Sequence, residues 1–212
     1  MRMVRAITHH SVAPMRRAAR TRAWASAPGT AMERDLDPYR TRLWGVLLSL
    51  IVCASGVTAP APLDLPAFRE AVLAQHNHYR ALHGVPPLVL SPSLNATAQH
   101  HAAQLARTNR LAHSRHPQVG ENLALFRSSR REPPPPAAVV ERWYREIKDY
   151  TFTQPGFQTR AGHFTQVVWK ASQALGIGMA HAGDGTWYIV GHYSPPGNIT
   201  GHFPANVLPP TP

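Results

Sequence analysis

A layered α+β domain is predicted from two observations on this 212-residue chain. Between Pro62 and about Tyr150, apolar residues recur at helical spacing in three segments. After Gly162 the period shortens to that of strands, in β-branched and aromatic runs divided by turn signals. Helices first and an antiparallel sheet later are the order of an α+β fold in layers. No internal repeat is visible.

The first helix is predicted from Pro66 to about His83. Pro66 suits a first turn, Phe68, Val72, Gln75, Tyr79 and Leu82 recur on one face, and Gly84 can end it. The second runs from Ser91, a capping residue followed by Pro92, to about Arg110, with a stripe of Leu94, Ala98, His101, Ala102, Leu105 and Ala106. The third covers about Ala137 to Tyr150, where Val140, Trp143, Tyr144 and Ile147 share a face. Pro133–Pro136 is an extended loop leading into it. Strands are predicted at Thr165–Trp169, Leu175–Ala180 and Thr186–Tyr193, with Gly183-Asp184-Gly185 as the hairpin turn between the last two. The proline-rich tail after Gly197 is expected to pack as an ordered loop.

Residues 1–42 are rich in Arg and Ala, lack a long apolar period, and read as disordered or as a mis-assigned N-terminal extension. Residues 43–59 form the most apolar run, preceded by Arg40 and Arg42 and closed by small residues ending in Val57-x-Ala59. That is a signal-peptide h-region, with Met32 as the true start. The same run reads alternatively as an uncleaved membrane anchor, short of the ~20 residues of a typical span, or as a buried apolar stretch. The globular domain is placed at 62–212, exported or tethered outside the cytoplasm. Cys53 is the single cysteine, so the domain has no disulfide framework.

The formal net charge is +11. Residues 1–60 hold nine arginines against three acidic residues, so about half the excess lies outside the domain. The remaining arginines are scattered and no nucleic-acid-binding motif occurs, so nucleic acid is not an expected partner. A solvated basic surface is the plain reading. Attraction to an anionic membrane or polysaccharide is the functional one.

Chemistry concentrates in two segments. Leu111-Ala112-His113-Ser114 precedes Gly120-Glu121-Asn122-Leu123, and Trp143-Tyr144-Arg145-Glu146 precedes Gly162-His163-Phe164-Thr165-Gln166-Val167-Val168-Trp169. Two imidazoles and two carboxylates in one cleft have the composition of a divalent-metal site or an acid/base site. The separations are non-local, so this is no helix-borne zinc motif. Glu121 stands out independently, because a charge inside the apolar run 119–126 is costly unless paired or facing a cavity. No GxSxG elbow occurs, and Ser114 is expected to serve its local turn. His101 is expected to be a packed core histidine. Adjacent helical positions diverge by ~100°, so at most one of His100 and His101 should face a cleft. Trp143, Trp169 and Trp187 are expected in the core. Asn95-Ala96-Thr97 and Asn198-Ile199-Thr200 are glycosylation sequons expected to be unused.

Four motifs appear in order: His76-Asn77-His78-Tyr79-Arg80, Gly120-Glu121-Asn122-Leu123, Gly162–Trp169, and Tyr193-Ser194-Pro195-Pro196-Gly197-Asn198. Together they resemble the CAP superfamily, which joins cysteine-rich secretory proteins, antigen 5 allergens and plant pathogenesis-related 1 proteins. Trp143-Tyr144-x-Glu146-Ile147 and the stretch 152–157 are most similar to its Golgi-associated plant pathogenesis-related type. The resemblance covers roughly 65–209. It implies a three-layer α-β-α sandwich with a central antiparallel sheet (the CAP or SCP fold). It also implies a cleft tetrad of His113, Glu121, Glu146 and His163. Through the two histidines, members bind a divalent cation, often zinc, and several bind sterols or fatty acids. The chain departs from the pattern in lacking the family's cysteine pairs, in its short segment between His113 and Glu121, in Leu90 where many members carry an aromatic residue, and in the Arg- and Pro-rich insertion Arg127–Pro136.

Asn77 and Arg80 lie three apart on one helix face. They are candidates for the cleft rim. Alternatively Asn77 bonds buried backbone and Arg80 pairs with a carboxylate such as Glu146. The expected function is an extracytoplasmic, non-catalytic binding protein whose His/Glu-lined cleft takes a divalent metal, a lipid or a sterol. Two alternatives stand beside it. One is a zinc-dependent hydrolase with Glu121 or Glu146 as base. The other is a protein-interaction module in which the tetrad is structural.

Overall fold

The computed structural model of the protein describes residues 63–211. The expectations for 1–42 and 43–59 fall outside them. Among the described residues, no helix is long and apolar enough to cross a membrane.

Helix α1 spans Leu65–Leu82. Asp64 caps it by accepting from the Ala67 N–H at 3.0 Å, and Pro66 occupies the first turn, where its missing N–H costs nothing. Strand β1 is the two residues Val89–Leu90. Helix α2, Pro92–Thr108, is capped by Ser91 and ends on Asn109 in the left-handed conformation. Strand β2 is Gly120–Arg127, followed by helix α3 at Pro136–Tyr144, which tightens into a 3₁₀ turn over Arg145–Asp149. Helix α4 is Gly162–Val167. Strands β3, Ala174–His181, and β4, Thr186–Ser194, form the predicted hairpin, and a last turn of helix, α5, is Phe203–Asn206. Asp184 closes the hairpin by accepting from the Thr186 N–H at 3.0 Å, while Gly185 supplies the positive φ of 88°.

The sheet order is β1-β3-β4-β2. β3, β4 and β2 pair antiparallel, and β1 joins β3 in parallel over two residues, so the expected antiparallel sheet carries a short parallel edge. Alternation along β4 sends Trp187, Ile189 and Tyr193 into one apolar layer with α1, α3 and α4. It sends Tyr188 and Val190 to the other, beneath Ala98, Ala102 and Leu105 of α2. Helices therefore cover both faces, as the α-β-α sandwich requires.

α2 lies directly on β3. A Cβ at Gly176 would fall on the Leu94 backbone, and one at Gly178 on that of Ala98. The contact also completes the sheet edge that β1 is too short to pair. Asn95 Oδ1 accepts from Ile177 N at 2.8 Å, Gln99 grips both the N–H and the carbonyl of Met179, and Arg69 donates to the Ile177 carbonyl. An otherwise open row of backbone groups is thereby satisfied by side chains. The sequon asparagines are both engaged: Asn95 in this way, and Asn198, buried, with Thr165 and the Gly162 carbonyl.

Two local expectations need correction, and one strand was not anticipated. Thr165–Trp169 is not a strand; its first three residues lie in α4 and the rest leave it by a turn. All six α4 residues are buried, so the run shows no amphipathic period to separate helix from strand. The segment 120–127, given no element from sequence, is a strand whose first five residues are all buried, Glu121 and Asn122 included, so no in–out alternation marks it. The third helix changes to 3₁₀ geometry at Arg145 rather than running through to Tyr150. The tryptophans sit in the core as expected, with Trp143 and Trp169 each 1% exposed.

Candidate functional site

Strand register creates the first half of the site. Glu121 on β2 lies opposite His192 on β4, and both point to the α2 side of the sheet. His192 Nε2 donates to Glu121 Oε2 at 3.0 Å, and its Nδ1 lies 2.9 Å from the Thr97 hydroxyl on α2. The loop before β2 folds back so that His113 Nδ1 donates to Glu121 Oε1 at 2.6 Å, with the Ser114 N–H on the same oxygen at 2.9 Å. His101, whose Nε2 donates to the Ala112 carbonyl at 2.9 Å, stands 3.8 Å from Oε2. The Glu121 side chain is completely covered. Burial alone would raise its pKa, but the hydrogen bonds from His113, His192 and Ser114 outweigh burial and hold the carboxyl well below the usual range. The charge that looked costly in sequence is thus fully compensated.

The second half hangs on the 3₁₀ turn. Glu146 Oε1 accepts from His163 Nδ1 at 2.6 Å. Its Oε2 accepts the backbone N–H of His163 at 2.8 Å and of Phe164 at 3.4 Å. One carboxylate thus orients the ring and also satisfies two orphan donors at the start of α4. Glu146 keeps 16% of its side chain exposed.

Asn122 links the halves. It follows Glu121 and so points to the opposite face, where its Nδ2 donates to the His163 carbonyl at 3.0 Å and to the Tyr193 hydroxyl at 3.2 Å. Tyr193 in turn sits 2.8 Å from His76 Nε2, while His76 Nδ1 lies 2.8 Å from the Val72 carbonyl. A carbonyl only accepts, so Nδ1 carries the His76 proton and Nε2 takes the tyrosine's. Burial lowers the His76 pKa to about 4, which keeps the ring neutral.

The four sequence-predicted residues therefore form two His–Glu pairs, His113–Glu121 and His163–Glu146, and Asn122, next to Glu121 in the chain, bonds the His163 carbonyl. Asn77 and Arg80 serve the scaffold. Asn77 accepts from the Leu88 N–H and donates to the Leu88 carbonyl, holding the chain into β1. Arg80 is fully buried and meets carbonyls rather than Glu146: Pro86 at 2.7 Å, Trp169 at 2.9 Å, Val167 and Ser172 at 3.0 Å. Desolvation brings its pKa down to about 10. It staples α1 to the turn that leaves α4. His192 was missed by sequence reasoning; the signal was a lone histidine in the largely apolar strand predicted at Thr186–Tyr193.

The donor set suits a divalent cation in chemistry. Each pair ties Nδ1 to a carboxylate, which fixes the tautomer and puts the lone pair on Nε2, the arrangement that supports metal-binding histidines. Two imidazoles are only part of a coordination shell. Among the described residues, no group of three or more His, Cys, Asp or Glu side chains has the geometry to hold a metal. Any ion here would keep open positions for water or ligand.

Known proteins share this architecture. The family model of CAP, the cysteine-rich secretory protein family, matches residues 73–193. Golgi-associated plant pathogenesis-related protein 1 of Homo sapiens is 46% identical over 148 residues, covering 68% of this chain and 94% of that protein. Protein PRY2 of Saccharomyces cerevisiae is 39% identical over 145 residues, 67% of this chain but 41% of the yeast protein. Among solved structures, BmVAL-1 superposes with a TM-score of 0.55 at 23% identity, over 67% of this chain and 83% of that one. The structure of NaASP2 with Zn2+ also gives 0.55, at 21% identity, over 72% and 90%. These likenesses establish the fold. With the human relative matched along nearly its whole length and the family motifs in register, the chain belongs to the CAP, or cysteine-rich secretory protein, family.

Proposed function

We propose that this protein works outside the cytoplasm as a binding protein, taking a divalent cation, zinc first, between His113 and His163. The observation that carries the reading is the paired geometry: two histidines, each held through Nδ1 by a glutamate at 2.6 Å, with the lone pairs on Nε2. A related fold has been solved with Zn2+. Bound there, the ion would supply positive charge and open coordination positions to a polar or anionic ligand. Glu121 and Glu146 would orient the imidazoles rather than act as bases, since their oxygens are already spent on His and backbone N–H donors.

A lipid or sterol is the second ligand class of this proposal, and an anionic membrane or polysaccharide the surface it would meet. The exposed Arg127 at the end of β2, with Arg130 and Arg131 on the loop after it, supports that surface attraction.

Zinc titration by calorimetry tests the metal reading. Heat at micromolar zinc is expected, and it should vanish in the H113A/H163A double variant. Wild type and double variant both silent at that concentration would end it.

A further inference from the structure

The two edges of the sheet are finished differently. Beyond the two residues of β1, the outer row of β3 is satisfied by Asn95, Gln99 and Arg69. The other edge is β2, and among the described residues no strand pairs with its outer side. Which of its residues face outward follows from the ladder. The Ser128 N–H donates to the Gly185 carbonyl at 3.0 Å, one step beyond the pair of Arg127 with Thr186. Antiparallel pairing alternates, so Asn122, Ala124 and Phe126 bond β4, while Leu123, Leu125 and Arg127 turn their backbone groups outward. Trp143 on α3 agrees with this phase, since its Nε1 donates to the Leu123 carbonyl at 3.0 Å. That cover stops at Leu123. Among the described residues nothing bonds the N–H or the carbonyl of Leu125 or of Arg127. Two donors and two acceptors therefore stand open in one row.

The side chains around this row carry one sign of charge. Arg127, Arg130, Arg131 and Arg142 are exposed, and the Arg142 guanidinium lies 5.5 Å from the centroid of the Phe126 ring, which sets it beside the edge. Of the carboxylates near them in the chain, Glu141 is already paired with Arg145 at 3.2 Å, which leaves Glu132 against four guanidinium groups. Leu125 and Phe126 are half-buried, so each face of the edge also offers some apolar surface.

We propose that the outer edge of β2 at Leu125–Arg127 takes an extended acidic segment of a partner protein as a fifth strand. Main-chain bonds give such an addition its affinity, and side chains on alternate positions give it selectivity. The arginines decide the occupant. A second copy of this chain would bring its own Arg127, Arg130 and Arg131 to the same short edge, and like charges across strands are unfavourable. Charged side chains are also how a sheet edge resists pairing with itself. Carboxylates on an incoming strand would meet the guanidinium groups instead. The same residues thus turn away a copy and admit an acidic strand. The inference is independent of the cation site. It shares three arginines with the proposed surface attraction, but it needs backbone pairing, which a membrane or polysaccharide cannot supply.

Calorimetric titration of the full chain with a capped peptide, Glu-Val-Glu-Val-Glu-Val-Glu, tests it. Methylating the backbone nitrogens of alternate residues blocks one side of a strand and spares the other, while methylating all of them blocks both. At least one of the two half-methylated peptides should bind within threefold of the parent, and the fully methylated peptide should bind at least tenfold more weakly. The R127E/R131E variant should lose tenfold or more, and H163A should stay within twofold. Arg127 and Arg131 are exposed, so their variant should melt like wild type, and a melting curve checks this. Undiminished binding of the fully methylated peptide would reduce the edge to bare charge attraction and overturn the proposal. So would a silent parent peptide, an unaffected R127E/R131E, or equal binding of the Lys-Val counterpart. Sedimentation showing a dimer that the peptide cannot disperse would give the edge to a second copy, which also overturns it. None of these outcomes depends on zinc, so the two proposals fail separately.

Discussion

Glu121 and Glu146 make the same bond and live in different surroundings. Each accepts from a histidine Nδ1 at 2.6 Å and from a backbone N–H. Glu121 sits on a strand, wholly covered, and holds a second histidine from the neighbouring strand. Glu146 sits on a 3₁₀ turn at the edge, partly wet, and its second oxygen caps a helix. The difference teaches that one motif can serve two ends. In the interior the carboxylate neutralises a cluster of donors that would otherwise be buried unpaired. At the margin it aims one ring and starts one helix. Water can replace part of what Glu146 does, and it cannot reach Glu121.

The sharpest way to break this comparison is to neutralise each carboxylate in turn. E121Q should cost roughly 3–5 kcal/mol, because it leaves buried donors facing an amide that itself needs acceptors. Denaturant unfolding measures this, and a loss no greater than that of E146Q would abolish the distinction.

Next in size is the pH response. His76 is neutral when folded, with its pKa lowered by burial to about 4, against an ordinary ~6.5 in the unfolded chain. Its contribution is complete above pH ~6.5 and is lost as pH falls toward 4, by up to roughly 3 kcal/mol, since only the unfolded state takes up the proton in that window. Glu121 behaves differently. Its depressed pKa gives stability that is present above the ordinary carboxylate range and disappears only as pH drops through that range toward the folded value. A stability–pH curve of H76Q flattened between pH 6.5 and 4, with the loss below pH 4 retained, is the expected result. An unchanged slope near pH 5 would remove His76 from the account.

E146Q should cost less, roughly 1–2 kcal/mol, because its site is partly solvated and a glutamine still offers one acceptor. Its larger effect should appear in zinc affinity, about 10–100-fold weaker, as for other groups that orient a metal-bound histidine. Zinc affinity equal to wild type would mean that His163 needs no such support.

The smallest effect concerns the link. In a double-mutant cycle on stability, E121Q and E146Q should couple by less than about 0.5 kcal/mol, since separate clusters add. In zinc affinity the same pair should be strongly non-additive if one ion is shared. Additivity in both readouts would make the pairs independent sites and would count against a shared cation.

How much was legible beforehand differs element by element. α1 carries a clear stripe opened by Pro66, α2 a stripe opened by Ser91 and Pro92, and the structure places both helices within two residues of expectation. The Gly-Asp-Gly hairpin was equally legible, because its residues suit a turn by their own conformational preferences. Segment 162–169 misled because complete burial erases the period that separates helix from strand. Arg80 resisted for another reason. A lone arginine on a helix gives no hint that five carbonyls, from the loop before β1 and from the end of α4 and the turn beyond it, will converge on it. His192 went unnoticed because its partner stands 71 residues away and only strand register unites them.

Sequence by itself determined the layered class, the helices that cap and stripe themselves, the family, and the four residues of interest, because each depends on neighbours within a few positions or on motifs kept in order. Tertiary structure alone decided that these four form two pairs, that Glu121 serves three donors at once, and that His192 joins them from the neighbouring strand. Those outcomes depend on which strands register and which loop folds back, and the pairing of distant segments leaves no local signature in the chain.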